Sequence, residues 1–186
     1  TIDNQYQTGE YWDKNPTFHE EDADFKVANA IAMLERNGIS PDDILDVGTG
    51  SGKHAYLLSE RYEVPTVGLD MSARAIDHAR QRYSRPDLDF HVADIKQYSS
   101  VAHVGFMFDV FEHIEDYMGF LRSASPNSEY WVFNIPIDMN ALSIVRGRYL
   151  DDRARVGHLH YFSKASALAT LEDCGYVILE WEFANV

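Results

Sequence analysis

Ile44-Leu45-Asp46-Val47-Gly48-Thr49-Gly50-Ser51-Gly52 is the stretch on which the reading of this chain turns. Its apolar start, preceded by the turn residues Ser40-Pro41-Asp42-Asp43, predicts a buried central strand. Three glycines at alternating positions then open a helix near Lys53. Lacking Cβ atoms, they let the backbone turn sharply and bring its N–H groups against a ligand. A phosphate-binding loop needs Gly-x-x-x-x-Gly-Lys-Ser/Thr, but Val47 stands where its first glycine belongs and His54 replaces its hydroxyl residue. A dinucleotide fingerprint is Gly-x-Gly-x-x-Gly, and this loop is Gly-x-Gly-x-Gly. Asp46, two residues before the first glycine, would repel a phosphate. The loop therefore suits a ligand that lacks phosphates and carries positive charge.

Outward from the loop, strands and helices alternate. A helix is expected over 53–62, and a strand over 64–69 ending in Asp70, with Ser72 as N-cap of a helix through Tyr83. A short strand over 88–93 ends in Asp94, and an apolar run over 104–110 has Asp109 at its end. Glu112-His113 and a short helix to about Ser123 follow, then a strand over 130–135 closed by Pro136. A helix over 163–174 and a sixth strand over 176–183 complete the pattern. This predicts an α/β fold of Rossmann-like, doubly wound type, with a mostly parallel sheet and helices on both faces. Ligands of such sheets sit at the carboxyl ends of the strands.

Each of the first four strands ends in an aspartate. A lone aspartate there is commonly a turn or helix cap, but four beside a triple-glycine loop suggest a division of labour. An acid at the end of strand two can accept both hydroxyls of a ribose. Asp94 can accept from a purine amine, because an ionised carboxylate only accepts. Asp46 and Asp109 add negative potential for an ammonium or sulfonium. The ligand so described is an adenosine with a cationic tail.

Asp46-x-Gly48-x-Gly50-x-Gly52, Gly68-Leu69-Asp70-Met71-Ser72, Ala93-Asp94-Ile95 and Asp109-Val110-Phe111-Glu112-His113-Ile114 resemble the successive motifs of class I S-adenosylmethionine-dependent methyltransferases. Glu112-His113, with Gly157-His158-Leu159-His160-Tyr161-Phe162-Ser163, is similar to the small-molecule branch of ubiquinone-biosynthesis and natural-product type. The resemblance implies S-adenosyl-L-methionine as cofactor. It would run the loop of Gly48, Thr49, Gly50 and Gly52 along the methionine portion, give the ribose to Asp70 and pack Met71 on the adenine. Asp94 would take the adenine amine, with Ala93 and Ile95 beside the ring. Phe108 and Asp109 would line the amino group and the methyl donor, and Lys26 is a candidate for the methionine carboxylate. The family sheet has seven strands, the last antiparallel. Six are counted here, so the seventh would lie beyond residue 186 or be replaced by part of 136–162.

Methyl transfer from a sulfonium is an in-line displacement on carbon by a reagent its own charge has activated. Alignment can supply about 7–11 kcal/mol of the barrier. A hydroxyl acceptor must also lose its proton, so a base helps. His113 is the first candidate and His158, with His160, the second; the competing readings are a loop-orienting hydrogen bond for His113 and a helix cap or packing for His158 and His160. His158 and His160 with Asp151 and Asp152 could ligate a divalent cation, but short His-x-His spacings are common without metal and none is expected. Substrate choice is expected in the insert 136–162, where Arg146, Arg148, Arg153 and Arg155 suit an anionic acceptor or simply a solvated helix face.

The N-terminal part, 1–38, holds the aromatics Tyr6, Tyr11 and Trp12 and a capping box at Thr17-Phe18-His19-Glu20. A helix follows, expected across the sheet edge near the glycine loop and stopped by Asn37-Gly38. The aromatics either cover that helix or form a lid that excludes water.

With 186 residues, 45% of them hydrophobic, one domain spanning 1–186 is expected. A net charge of −14 argues against a nucleic-acid partner, whose binding rests on phosphate neutralisation. The lone cysteine, Cys174, fits a reducing compartment. No run reaches membrane-spanning length, so a cytoplasmic protein without a membrane partner is expected. The expected function is methyl transfer to a small-molecule acceptor, at oxygen, with nitrogen or carbon as alternatives. A catalytically silent S-adenosylmethionine-binding protein and a nicotinamide-dependent oxidoreductase are the competing readings.

Overall fold

The computed structural model describes residues 20–139 and 157–184, together with Tyr149 and Arg153. The aromatic lid, the Thr17 capping box, Asp151, Asp152 and the arginines of the insert other than Arg153 lie outside the described residues.

Among the described residues five strands form one parallel sheet: β1 (Ile44–Val47), β2 (Thr66–Asp70), β3 (Leu88–Val92), β4 (Ala102–Phe108) and β5 (Ser128–Asn134). Their order is β3-β2-β1-β4-β5. All four pairings are parallel, so the carboxyl ends share one rim. The order reverses at β1, placing a crevice between the ends of β1 and β4, where sheets of this kind take their ligands.

Sequence parity assigns the side chains to the two faces. Ile44, Val104, Phe106 and Phe108 pack on one side with Val27, Ala30 and Leu34 of α1 (Ala23–Arg36) and Leu58 of α2 (Lys53–Tyr62). Leu45, Val47 and Met107 pack on the other with Leu121 of α4 (Tyr117–Ala124) and Leu171 of α5 (Lys164–Asp173). A smaller cluster joins Ile76 and Ala79 of α3 (Ala73–Arg82) to Ala55 and Phe90. Because both faces are covered, all four residues of β1 are buried, as expected of a central parallel strand. The helix α1 therefore lies on a face of the sheet rather than across its edge, because its apolar stripe is wide enough to cover β1 and β4.

The expected strand over 176–183 does not form. The segment follows α5 without helix or strand assignment and lies across a groove of about 540 Å³ from β5. Its period of two is real: Tyr176 and Ile178 pack against the core, while Val177 and Leu179 are 84% and 63% exposed. Side-chain contacts hold it in place. The Tyr176 hydroxyl donates to the Leu121 carbonyl at 2.8 Å, Arg36 pairs with Glu180 and Glu182, and Lys164 lies 4.0 Å from the Trp181 ring centre. Among the described residues no strand lies between β5 and this segment, so it has no ladder to join.

Candidate active site

The loop after β1 is shaped by its glycines. Gly48 and Gly52 have φ of 75° and 84°, in the left-handed region. A Cβ on Gly52 would come within 2.6 Å of the Ala79 Cβ and 2.8 Å of the Phe90 ring, and one on Gly48 within 2.6 Å of Val110. Backbone N–H groups of Gly48 and Thr49 both donate to the Leu69 carbonyl, at 2.8 and 2.9 Å, which ties the loop to the end of β2.

Asp70, Asp94 and Asp109 stand at the rim, but Asp46, expected at a strand end, lies inside β1 with Val47 after it. Asp70 accepts from the N–H groups of Gly50 at 3.0 Å and Ser72 at 2.8 Å, so its carboxylate is fixed between the glycine loop and the cap of α3. Burial raises its carboxyl above the ordinary range, against the pull of those N–H groups. Asp46 is 1% exposed and takes the Thr49 hydroxyl at 2.7 Å. Burial drives it up to about 7, opposed by the Thr49 bond and aided by the charge of Asp70. It anchors the loop from beneath. Asp94 accepts from the Lys96 N–H at 3.0 Å and caps the 3-10 turn Ile95–Gln97.

Asp109 follows β4 with φ of 53°, unusual for a residue with a side chain. Lys26 of α1 donates a short hydrogen bond to it, and the Asn134 amide donates to its other oxygen at 2.6 Å. Burial works against the Lys26 charge, but Asp109 and Asp22 outweigh it and hold the ammonium above its usual range. Asp109 is therefore already paired with a cation from within the chain.

The remaining expected residues are distributed as follows. Met71 is 57% exposed on the rim, whereas Ile95 is 2% exposed and belongs to the core, so Met71 offers a ring far more surface. Ala93 packs against that same core from a partly buried position. Phe108 is 6% exposed and stacks on His54, ring centres 4.4 Å apart.

His158 and His160 part company. His160 Nε2 approaches the Ile114 carbonyl at 2.9 Å and its ring lies on Tyr117, ring centres 4.4 Å apart. His158 instead meets His113, ring centres 4.9 Å apart. Two N–H groups, of Leu159 and His160, donate to the Glu112 carbonyl and bring this segment onto the short turn Phe111–His113. The Glu112 side chain, 0% exposed, completes the group, with Oε1 3.8 Å from His113 Nε2. Burial, reinforced by the charge of Asp109, pushes this carboxyl well above the ordinary carboxylate range. The sequence singled out His113 and His158 separately; what it lacked was the approach of 157–160 to the turn after β4.

Known proteins agree with this architecture. A family model described as a methyltransferase domain matches residues 44–125. A malonyl-[acyl-carrier protein] O-methyltransferase of Acetivibrio thermocellus is 34% identical over 74 residues, covering 39% of this chain and 26% of that relative. The match thus spans about a quarter of the curated relative's length. Among solved structures, magnesium protoporphyrin IX methyltransferase from Synechocystis with bound SAH superposes with a TM-score of 0.76 at 16% identity, covering 99% of this chain and 91% of that one. The plantazolicin methyltransferase in complex with SAH gives 0.61 at 19% identity, covering 93% and 70%. The fold, built among the described residues on a five-stranded parallel sheet, is thus that of the methyltransferases it superposes on, and residues 44–125 match a methyltransferase domain.

Proposed function

We propose that this protein binds S-adenosyl-L-methionine along the carboxyl rim and transfers its methyl group to a small-molecule acceptor, at an oxygen. One observation carries the reading: Asp70 is held by the Gly50 and Ser72 N–H groups beside an open glycine loop, as a diol acceptor would be. The loop of Gly48, Thr49, Gly50 and Gly52 takes the methionine portion, Met71 covers the adenine and Asp94 takes its amine. Relatives named as an O-methyltransferase and as methyltransferases with bound SAH support the same chemistry.

The acceptor approaches from the side of Glu112, His113 and His158, next to the crevice between β1 and β4. As its oxygen bonds to the methyl carbon, the carbon–sulfur bond breaks and sulfur leaves as a neutral thioether. The hydroxyl proton is drawn off at that polar cluster, a step that contributes when the acceptor is a weak acid. Most of the rate comes from alignment of oxygen, methyl and sulfur.

Calorimetry with S-adenosylmethionine, S-adenosylhomocysteine and NAD tests the cofactor. We expect saturable binding of the first two and none of the third; tight NAD binding would replace this reading with a nicotinamide enzyme. Transfer of a tritiated methyl group into a panel of hydroxyl, amine and carboxylate acceptors tests the reaction. Binding without transfer to any of them would favour a silent cofactor-binding protein.

A further inference from the structure

Glu112 is the most fully buried carboxylate among the described residues, at 0% exposure, and neither of its oxygens receives a hydrogen bond of ordinary geometry. An ionised carboxylate in such a place costs several kcal/mol unless a cation or donors meet it. Among the described residues no lysine or arginine pairs with it, and Lys26, on the same rim, is engaged by Asp109 and Asp22. Two imidazoles stand there instead. One potential ligand atom each from Glu112, His113 and His158 lies within 4.8 Å of the other two. A shared proton would satisfy one oxygen and one nitrogen; an ion at the centre engages all three at once.

The spacing suits such an ion. Bonds of about 2.0–2.2 Å put neighbouring ligand atoms roughly 3–3.5 Å apart, and the His113 Nε2 to Glu112 Oε1 separation is 3.8 Å. With all three atoms within 4.8 Å of one another, side-chain shifts of about an ångström would bring them to bonding distance. Asp138 Oδ2 lies 3.2 Å from His158 Nδ1, a carboxylate beside an imidazole of the kind that orients ligating histidines. Three elements contribute, the turn after β4, residues 157–160 and the stretch after β5, and the amide bonds to the Glu112 carbonyl lock the first two together.

We infer that Glu112, His113 and His158 form a binding site for one divalent transition-metal ion, with Asp138 positioning His158. Two imidazole nitrogens and one carboxylate favour ions such as Zn²⁺ or Mn²⁺, and three protein ligands leave a coordination position open to a substrate oxygen. This departs from the expectation of no metal, which considered His158 with His160; the fold turns His160 away and supplies Glu112 and His113. The inference deepens the methyl-transfer reading and rests on it for its purpose. A hydroxyl bound to the ion loses its proton to water more readily and meets the methyl carbon as an oxygen anion.

The test is calorimetric titration of chelator-treated protein with MnCl₂ and with ZnCl₂, alongside titration with S-adenosylhomocysteine. We expect one saturable site for at least one of these ions. Affinity should fall tenfold or more in Glu112→Gln and in His158→Ala, while S-adenosylhomocysteine affinity stays within about twofold of wild type. Circular dichroism of each variant checks folding; should Glu112→Gln unfold, His158→Ala and His113→Ala carry the test from different segments. Absence of a saturable site in the wild-type protein, or unchanged affinity in folded variants, overturns the metal site. Metal binding without S-adenosylhomocysteine binding would leave the site standing and overturn the cofactor reading instead.

Discussion

Asp70 and Asp46 sit on neighbouring strands, one on the rim and one beneath it, and each makes a separate prediction. Asp70 is fixed by two N–H groups before any ligand arrives. Replacing it with alanine should weaken S-adenosylhomocysteine binding about ten- to hundredfold, the loss expected when a buried charged acceptor is removed. Calorimetry measures this, and unchanged affinity would take the ribose away from Asp70. Burial pushes Asp46 up to about 7 in the folded chain, well above the ordinary carboxylate range. The native state therefore keeps a proton that the unfolded chain releases across that interval, and stability falls as pH rises through it. Asp46→Asn cannot ionise, so its advantage over the wild type should grow between pH 5 and pH 8, by a few kcal/mol at about 1.4 per pH unit. Denaturant melts at both values measure it. A pH-independent difference would show that Asp46 titrates normally.

The helix Lys53–Tyr62 occupies the bounds read from sequence, because a glycine run before it and apolar spacing within it are both local signals. The same holds for Ser72, whose hydroxyl accepts from the Ala75 N–H; Ser163, read as the first helical residue, proves instead to be the N-cap of Lys164–Asp173, in a capping box with Ser166. Strands were harder to bound: β4 runs Ala102–Phe108 against an expected 104–110, since Asp109 turns into the left-handed region where hydrophobicity gives no hint of a bend. The segment 176–183 shows the deeper limit. Alternation reports that a stretch has two unlike faces, not that a neighbour exists to bond it. Glycine packing is testable at this level. Gly52→Ala puts a Cβ at positive φ against Ala79 and Phe90. We expect a loss of about 2–4 kcal/mol from backbone strain and overpacking together, read from chemical denaturation; a loss under about 0.5 kcal/mol would mean the loop relaxes freely.

Across the whole molecule, the parallel sheet and its ligand rim were readable from the alternation of strands and helices and from the acids near the ends of the first four strands, whereas the strand order was not. The meeting of Glu112 with His113 and His158 was not, since it depends on how 157–160 returns to the turn after β4. Hydrogen exchange should follow the bonding. Amides of β1 and β4, laddered on both sides and buried, should be the slowest, and those of 177–183 faster by orders of magnitude. Equal protection of 177–183 and β4 would reveal a ladder there.

Lys26 reaches Asp109 from α1, a helix that precedes the matched methyltransferase domain at 44–125. That one ammonium neutralises the acid at the tip of β4, and the same helix shields Ile44, Val104 and Phe106. A fragment trimmed to the recognised family boundaries would bare those aromatic and aliphatic groups to water and leave an anion stranded beside the crevice. For anyone choosing where to cut this gene, the practical border of the folded unit lies at least as early as Asp22.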